Sequence, residues 1–158
     1  MHELIKICEA MILKDKEMLR NFRSIPLLYE KAFCNTMKKY DMTQFEVDVL
    51  GFIHFYPDYD TAKQICELRK LPKSNVSVAV DRLTKKGYLH GERDKKDRRV
   101  IHLKITDDAS DAVASIREEY QKFLDMLFLG FTETERETWR ILEKKLSVNI
   151  ENALRREA

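Results

Sequence analysis

Five positively charged side chains fall within seven consecutive residues. They are Arg93, Lys95, Lys96, Arg98 and Arg99, and the aspartates Asp94 and Asp97 lie between them. Lysine and arginine are charged at neutral pH, and both donate charge-assisted hydrogen bonds to phosphate and carboxylate oxygens. An aspartate two residues before an arginine can hold that guanidinium in place. The segment therefore has the chemistry to bind a polyanion.

The charge of the whole chain supports the same chemistry. The formal net charge is only +2. From Lys63 to Lys104 there are 13 Lys and Arg against 5 Asp and Glu, a net +8, while the remainder has 16 against 22, a net −6. Positive charge gathered in one quarter of a near-neutral chain is typical of a binding surface for nucleic acid. The alternative is an ordinary solvated charged face.

A helix is predicted immediately before the basic segment. Val76, Ala79, Val80 and Leu83 follow the i, i+3, i+4, i+7 spacing of one buried helix face. Gly87 supplies a stop after it. The opposite face carries mostly short side chains: Ser74, Asn75, Ser77, Val78, Asp81 and Arg82.

Two short extended runs flank the basic segment. Residues 88–90 lead out, and residues 99–105 return with alternating apolar and polar side chains, as in a half-buried strand. The basic segment is then the tip of a hairpin. A narrow helix with small polar side chains suits the major groove of duplex DNA, and a basic hairpin tip can reach phosphate or the minor groove.

Capping signals mark the helices that must position this pair. Thr43 with Glu46, and Thr61 with Gln64, have the spacing of capping boxes. They open two helices before the Val76 helix, so residues 41–105 predict a winged helix-turn-helix DNA-binding domain. Thr106 and Thr132 are expected to cap two further helices, the first running to about Leu129.

The outer segments are predicted to be helical as well. Residues 1–40 are read as two helices, 3–20 and one running from Pro26 to about Lys39. Their apolar stripes are too wide for a small domain to cover both, which predicts contact with a second subunit. The last helix has a stripe suited to helix packing. The expected fold class is mainly α with a small β wing, a winged helix-turn-helix flanked by N-terminal (1–40) and C-terminal (106–158) dimerisation helices.

Composition argues against several other classes of protein. The chain has 158 residues, 44% of them apolar and 35% charged, with no apolar run long enough to cross a membrane. With no signal-peptide pattern, a cytoplasmic location is expected. The cysteines Cys8, Cys34 and Cys66 form no CxxC or Cys-His cluster, so buried thiols are the default and no metal site is predicted. Neither a catalytic motif nor a cofactor motif is present, so no enzyme and no cofactor are predicted.

Several motifs, in this order and spacing, resemble those of the MarR family (multiple antibiotic resistance regulators). The resemblance covers roughly residues 25–154. The family's wing pattern is D-x-R-D-x-R, and residues 94–99 read DKKDRR, with Lys96 where Arg is usual. Residues 73–77, KSNVS, resemble the family's K-S-T-V-[ST], and residues 81–89, DRLTKKGYL, resemble D-R-L-x-x-x-G-[LY]-[LIV].

The resemblance implies a homodimeric transcriptional regulator that binds a pseudo-palindromic operator in double-stranded DNA, most simply a repressor released by a small molecule. Asp97 is expected to hold Arg99, which enters the minor groove. Other expected contacts divide between base edges and phosphates. Ser74, Asn75, Ser77 and Val78 face bases, Arg82 reaches base or phosphate, and Lys73, Arg93, Lys95, Lys96 and Arg98 contact phosphate.

Family members bind their ligand between the dimerisation helices and the DNA-binding lobes. Six aromatic residues are candidates for lining a pocket for a small aromatic ligand, with core packing as the alternative for each: Tyr29, Phe33, Tyr40, Phe52, Phe55 and Tyr56. Two other functions stay open. One is a redox or metal-responsive regulator that acts through Cys66 or Cys8. The other is a helical adaptor that binds protein.

Overall fold

A computed structural model describes the backbone of residues 2–156 and the side chains of residues 16, 17 and 20–156. It divides into two compact units, one ending at Phe123 and the other beginning at Leu124. The prediction of a mainly helical chain with a small β wing is confirmed. The elements are α1 (His2–Lys39), α2 (Gln44–Phe55), α3 (Ala62–Arg69), α4 (Lys73–Lys85), β1 (Leu89–Arg93), β2 (Ile101–Ile105), a 3-10 turn (Asp107–Ala109), α5 (Ser110–Leu127) and α6 (Glu133–Arg156).

The prediction of two helices before residue 40 is wrong. One helix of 38 residues, α1, runs through Pro26. Proline removes a helical hydrogen bond and crowds the preceding turn, so it favours a break. Packing outweighs that preference here, because Phe33 is fully buried and Tyr29 lies against it with ring centroids 4.6 Å apart. The segment after Pro26 is thereby fixed as helix.

Helix α2 forms the centre of the first unit. Its residues from Glu46 to Ile53 are all buried, including two acidic side chains. The buried stripe predicted for α4 is confirmed, since Val76, Ala79 and Leu83 are almost fully buried in the same core. The core therefore fixes which face of α4 points outward.

Three of the four predicted helix caps are present. Capping-box hydrogen bonds start α2 at Thr43, α3 at Thr61 and α6 at Thr132. The cap predicted at Thr106 is wrong, because its hydroxyl donates to the carbonyl of Gly87 and a 3-10 turn precedes α5. Gly87 ends α4 as predicted, with a φ of +76°. Thr106 thus ties the start of α5 to the turn after α4.

The wing is a two-stranded antiparallel hairpin whose register pairs Leu89 with Ile105 and Arg93 with Ile101. Gly91 allows the strands to approach closely, because a Cβ there would lie 2.8 Å from Cγ2 of Ile101. The amide of Leu103 donates to the carbonyl of Asp60 at 2.7 Å, so the hairpin is attached to the loop before α3. Within the described residues, no helix is long and apolar enough to span a membrane.

Candidate nucleic-acid interface

The outward face of α4 carries the residues that the sequence predicted for base contacts. Ser74 and Ser77 are exposed, Asn75 is half-buried, and Val78 is 57% exposed. Lys73 is exposed in the first turn, where the N-cap position is Pro72 and no side chain caps the helix. The start of a helix without a side-chain cap and a lysine in its first turn both favour an anion such as phosphate.

A buried carboxylate holds α4 against α2. Glu46 has no exposed surface, and it accepts hydrogen bonds from the amide and the hydroxyl of Thr43, each at 2.8 Å. Its other contacts reach α4 and the residue after it. Arg82 Nε lies 3.4 Å from Oε2, and Lys86 Nζ lies 3.2 Å from Oε1. Arg82 was predicted to contact DNA, and the structure gives it this second partner while 44% of its side chain stays exposed.

Two opposed effects set the charge of Glu46. Burial acts to raise its pKa, but the hydrogen bonds from Thr43 and the ammonium of Lys86 together bring the pKa below its ordinary value. The carboxylate is therefore ionised at neutral pH. Sequence reasoning assigned Glu46 only a capping role, because no local pattern links position 46 to positions 82 and 86.

The wing tip is shaped by its two aspartates. Asp94 Oδ1 accepts hydrogen bonds from the amides of Lys96 at 2.7 Å and Asp97 at 2.8 Å. The predicted contact between Asp97 and Arg99 is present, with Oδ1 accepting from Nε at 3.2 Å and from the backbone amide at 3.1 Å. The Arg99 side chain is 92% exposed. The other basic residues of the tip are exposed too: Arg93, Lys95, Lys96 and Arg98.

A polar cluster at the base of the wing was not predicted. His102 Nδ1 lies 2.6 Å from Oδ1 of Asp60, and His102 Nε2 lies 3.2 Å from Oδ2 of Asp94. Lys104 donates to the other oxygen of Asp60 at 2.6 Å. The contacts with Asp60, and after them those with Asp94, raise the pKa of His102 above its ordinary value. These residues are up to 44 positions apart, so sequence spacing carried no signal for the cluster.

A cavity of about 240 Å³ lies among α1, α2, α3 and α5. Of the six aromatic residues predicted to line a pocket, five do so: Tyr29, Phe33, Phe52, Phe55 and Tyr56. Tyr40 is not part of this lining, because its hydroxyl donates to the carbonyl of Asp111, 3.0 Å away. Gly51, Ile116 and Tyr120 complete the apolar part of the lining.

The cavity also has a polar corner that the sequence did not reveal. Asp48 Oδ1 accepts hydrogen bonds from Arg69 Nη2 and from Gln44 Nε2, each at 3.2 Å. Burial, followed by the charge of Asp48, raises the pKa of Tyr29 beyond its usual range, so this phenol stays protonated. The only sign of this polar corner in the sequence was the acidic residue at position 48, which interrupts the apolar run of α2. The cavity combines aromatic walls with one arginine, whose charge an aspartate neutralises.

The cysteines are less buried than expected. Cys34 and Cys66 are half-buried free thiols, and the side chain of Cys8 lies outside the described residues. Among the described residues, no group of three or more His, Cys, Asp and Glu side chains is arranged to hold a metal ion.

Comparison with known proteins shows which family this chain is similar to. Residues 40–100 match the sequence model of the MarR family. The HTH-type transcriptional regulator YwaE of Bacillus subtilis is 25% identical over 129 residues, which cover 82% of this chain and 75% of that protein. A MarR protein from Peptoclostridium difficile has a similar structure, with a TM-score of 0.75, 23% identity, and coverage of 89% of this chain and 92% of that one.

A second solved structure concerns control by a small molecule. It describes how 6-hydroxynicotinic acid regulates DNA binding by BpsR of Bordetella bronchiseptica. The TM-score is 0.66 at 18% identity, with coverage of 83% of this chain and 98% of that one. YwaE is named as a transcriptional regulator, in agreement with the prediction that this chain is not an enzyme. The match over residues 40–100, together with the shared fold, shows that the winged helix-turn-helix of this chain is similar to that of the MarR family.

Proposed function

We propose that the chain is a cytoplasmic, homodimeric transcriptional regulator that represses genes by binding a pseudo-palindromic DNA operator. The observation that carries the proposal is the pairing of an exposed polar helix face on α4 with an exposed basic hairpin tip. Such a pair provides base readout in the major groove together with phosphate and minor-groove contacts.

Each residue of this helix face and hairpin tip receives a role from its position. Ser74, Asn75, Ser77 and Val78 face the base edges, where Val78 suits a thymine methyl group. Arg99, oriented by Asp97, enters the minor groove. Phosphate contacts fall to the remaining basic residues: Lys73, Arg93, Lys95, Lys96 and Arg98. Arg82, already paired with Glu46, lies close enough to the recognition face to add a further contact.

The exposed face of α6 supports the homodimer. None of the residues 133–156 is buried, although the helix carries an apolar stripe. Trp139 is 47% exposed and Leu154 is 58% exposed, with three further members between them at intervals of three and four residues: Leu142, Leu146 and Ile150. A stripe of this kind is stable in water when another helix covers it. In a symmetric dimer the two copies of α4, as the recognition helices, would read half-sites about 34–36 Å apart.

The cavity supports release by a small aromatic compound. Its aromatic walls suit a planar ring, and Arg69 suits an acidic substituent on that ring. A carboxylate that competes with Asp48 for Arg69 would alter the contact between α2 and α3. Because α3 and α4 are successive helices of one packed domain, that change would reach the recognition helix. The control of BpsR by an aromatic acid is a precedent within the same fold.

In vitro selection from random duplex DNA with the purified protein tests the proposal. The expected product is an inverted repeat that the protein binds as a dimer, with binding weakened by an aromatic acid. Arg69→Gln should keep DNA binding and lose the response to the acid. Failure to enrich any duplex would reject the proposal and favour a protein-binding adaptor.

A further inference from the structure

His102 is in contact with two carboxylates at once. Its Nδ1 faces Asp60 at 2.6 Å and its Nε2 faces Asp94 at 3.2 Å. Ionised carboxylates only accept hydrogen bonds, and a neutral imidazole has a single N–H to donate. Both contacts can be hydrogen bonds only when the ring is protonated. The observed arrangement is therefore that of an imidazolium.

The partners of His102 belong to different parts of the domain. Asp60 lies in the loop before α3, and the backbone of that loop is bonded to β2. Asp94 begins the wing tip, and its second oxygen accepts the amides of Lys96 and Asp97. Asp97 in turn holds Arg99. A chain of contacts thus leads from the body of the domain, through His102, to the side chain assigned to the minor groove.

We propose that His102 is a positioning residue for the wing: its imidazolium ties the tip to Asp60 through Asp94, and DNA binding weakens when His102 loses its proton. The inference rests on the proposed DNA-binding function. It adds a residue that the motif of the wing does not include, and it makes operator affinity dependent on pH.

The surrounding charges are consistent with a protonated ring. Asp60 and Asp94 contribute two negative charges, and Lys104, bound to Asp60 at 2.6 Å, contributes one positive charge. Protonated His102 balances the cluster. Glu92 lies opposite His102 on β1, where it pairs with His90 at 3.1 Å. His54, from the end of α2, lines a shallow depression together with Asp60 and Lys104.

The direction of the pH effect follows from the pKa. Contacts with Asp60 and Asp94 raise the pKa of His102 above 6.5. The stabilisation of the wing tip by protonated His102 is complete below pH 6.5, the ordinary pKa of histidine. It disappears as the pH rises through the higher pKa that His102 has in the folded protein. DNA phosphates near the tip favour the protonated form further. Operator affinity should therefore fall as the pH rises from neutral into the alkaline range.

Fluorescence anisotropy with a selected duplex, at fixed ionic strength between about pH 6 and pH 9, tests this inference. His102→Gln should bind about tenfold more weakly at the acidic end, the loss expected for one charge-assisted hydrogen bond, and should lose most of the pH dependence. His90→Gln is the matched control on the facing strand. It should keep the affinity and the slope of the wild type.

A second variant separates positioning from simple charge. Asp94→Asn removes a negative charge beside the DNA-binding tip, so charge alone predicts tighter binding. Positioning predicts weaker binding, because asparagine has one accepting oxygen where Asp94 uses two, one for the amides of Lys96 and Asp97 and one for His102. Tighter binding by Asp94→Asn, or a His102→Gln variant that keeps the affinity and the slope of the wild type, would overturn the inference.

Amide hydrogen exchange in the free protein gives a readout that needs no DNA. Exchange at Lys96 and Asp97 should accelerate as His102 deprotonates, beyond the ordinary base catalysis seen at amides outside the wing. Equal protection at both ends of the pH range would also overturn the inference. A different outcome is that wild-type protein binds no duplex at any pH while this exchange changes as expected. In that case the proposed DNA-binding function fails, but the link from Asp60 through His102 to Asp94 is retained.

Discussion

The two elements proposed to contact DNA, α4 and the wing tip, are held in different ways. Helix α4 packs on the core through Val76, Ala79 and Leu83, and Glu46, which ties it to α2, is completely buried. The tip is held by hydrogen bonds of Asp94, Asp97 and His102 that are partly exposed to water: the His102 side chain is 33% exposed and that of Asp97 is 48% exposed. Buried ion pairs are costly to break, whereas exposed ones contribute little to stability. Changes behind α4 should therefore affect folding most, and changes in the tip should affect mainly DNA affinity.

The largest expected effect is on folding. Glu46→Ala leaves the amide of Thr43 and two cations without their buried partner, and it should lower the free energy of unfolding by about 3–5 kcal/mol. Urea denaturation measures this change. Glu92→Ala, which breaks an exposed pair in the wing, is the control and should cost less than about 0.5 kcal/mol. Equal effects of the two substitutions would remove the distinction between the regions.

The pH dependence of stability sharpens the same point. The pKa of Glu46 is lowered in the folded protein, so its contribution is complete above the ordinary glutamate range and is lost as the pH falls through the lower folded-state value. Glu46→Gln should lack this part of the acid destabilisation. The same acid-side slope in both proteins would contradict the ionised state assigned to Glu46.

The largest expected effect on binding belongs to Arg99. Arg99→Ala should weaken operator binding by about 1.5–3 kcal/mol, because a charged donor is lost from the minor groove. The unfolding midpoint should stay unchanged, since the side chain is 92% exposed. Arg155→Ala, on the exposed surface of α6, is a control for the loss of one positive charge. A loss of affinity no greater than that of Arg155→Ala would reject the role of Arg99.

Helix α4 should differ from the tip in the kind of binding defect. Asn75→Ala should relax preference at one base pair of the operator by about 1–3 kcal/mol, with little change in affinity for unrelated DNA. Repeating the in vitro selection with the variant measures the preference. A base preference identical to that of the wild type would show that Asn75 does not read a base.

The smallest effect is expected for Lys95. Lys95→Ala should weaken binding to all sequences alike and reduce the slope of log K against log salt by about one unit. Titration of operator and random duplex at several salt concentrations separates this uniform loss from a specific one. A loss confined to the operator would move Lys95 into the group that determines specificity.

Local patterns in the sequence predicted local structure well. The helix of α4, its stop at Gly87 and the capping boxes at Thr43 and Thr61 are all set by residues within a few positions of one another. The exception is Pro26, where packing of Phe33 keeps α1 continuous. The wing hairpin was expected too, although its return strand begins at Ile101 rather than Arg99.

Contacts between distant parts of the chain could not be predicted in the same way. The sequence predicted that Arg82 contacts DNA, but it gave no sign of the contact with Glu46, which the packing of α2 against α4 produces. The sequence indicated only that His102 is a polar position of a strand, and the structure shows that Asp60 lies beside it. Tyr40 shares its residue type with the cavity aromatics, but its hydroxyl is bound to α5. Residue type and spacing indicate chemistry, and the fold decides which partners are within reach.

The central claim is that two subunits hold a duplex through their basic wings and α4 helices. Analytical ultracentrifugation across a salt series, with the selected duplex, measures stoichiometry and affinity together. The account predicts two chains per duplex and a slope of log K against log salt of about −7 to −9, for roughly 8–10 neutralised phosphates. One chain per duplex, or an affinity that does not respond to salt, would contradict it.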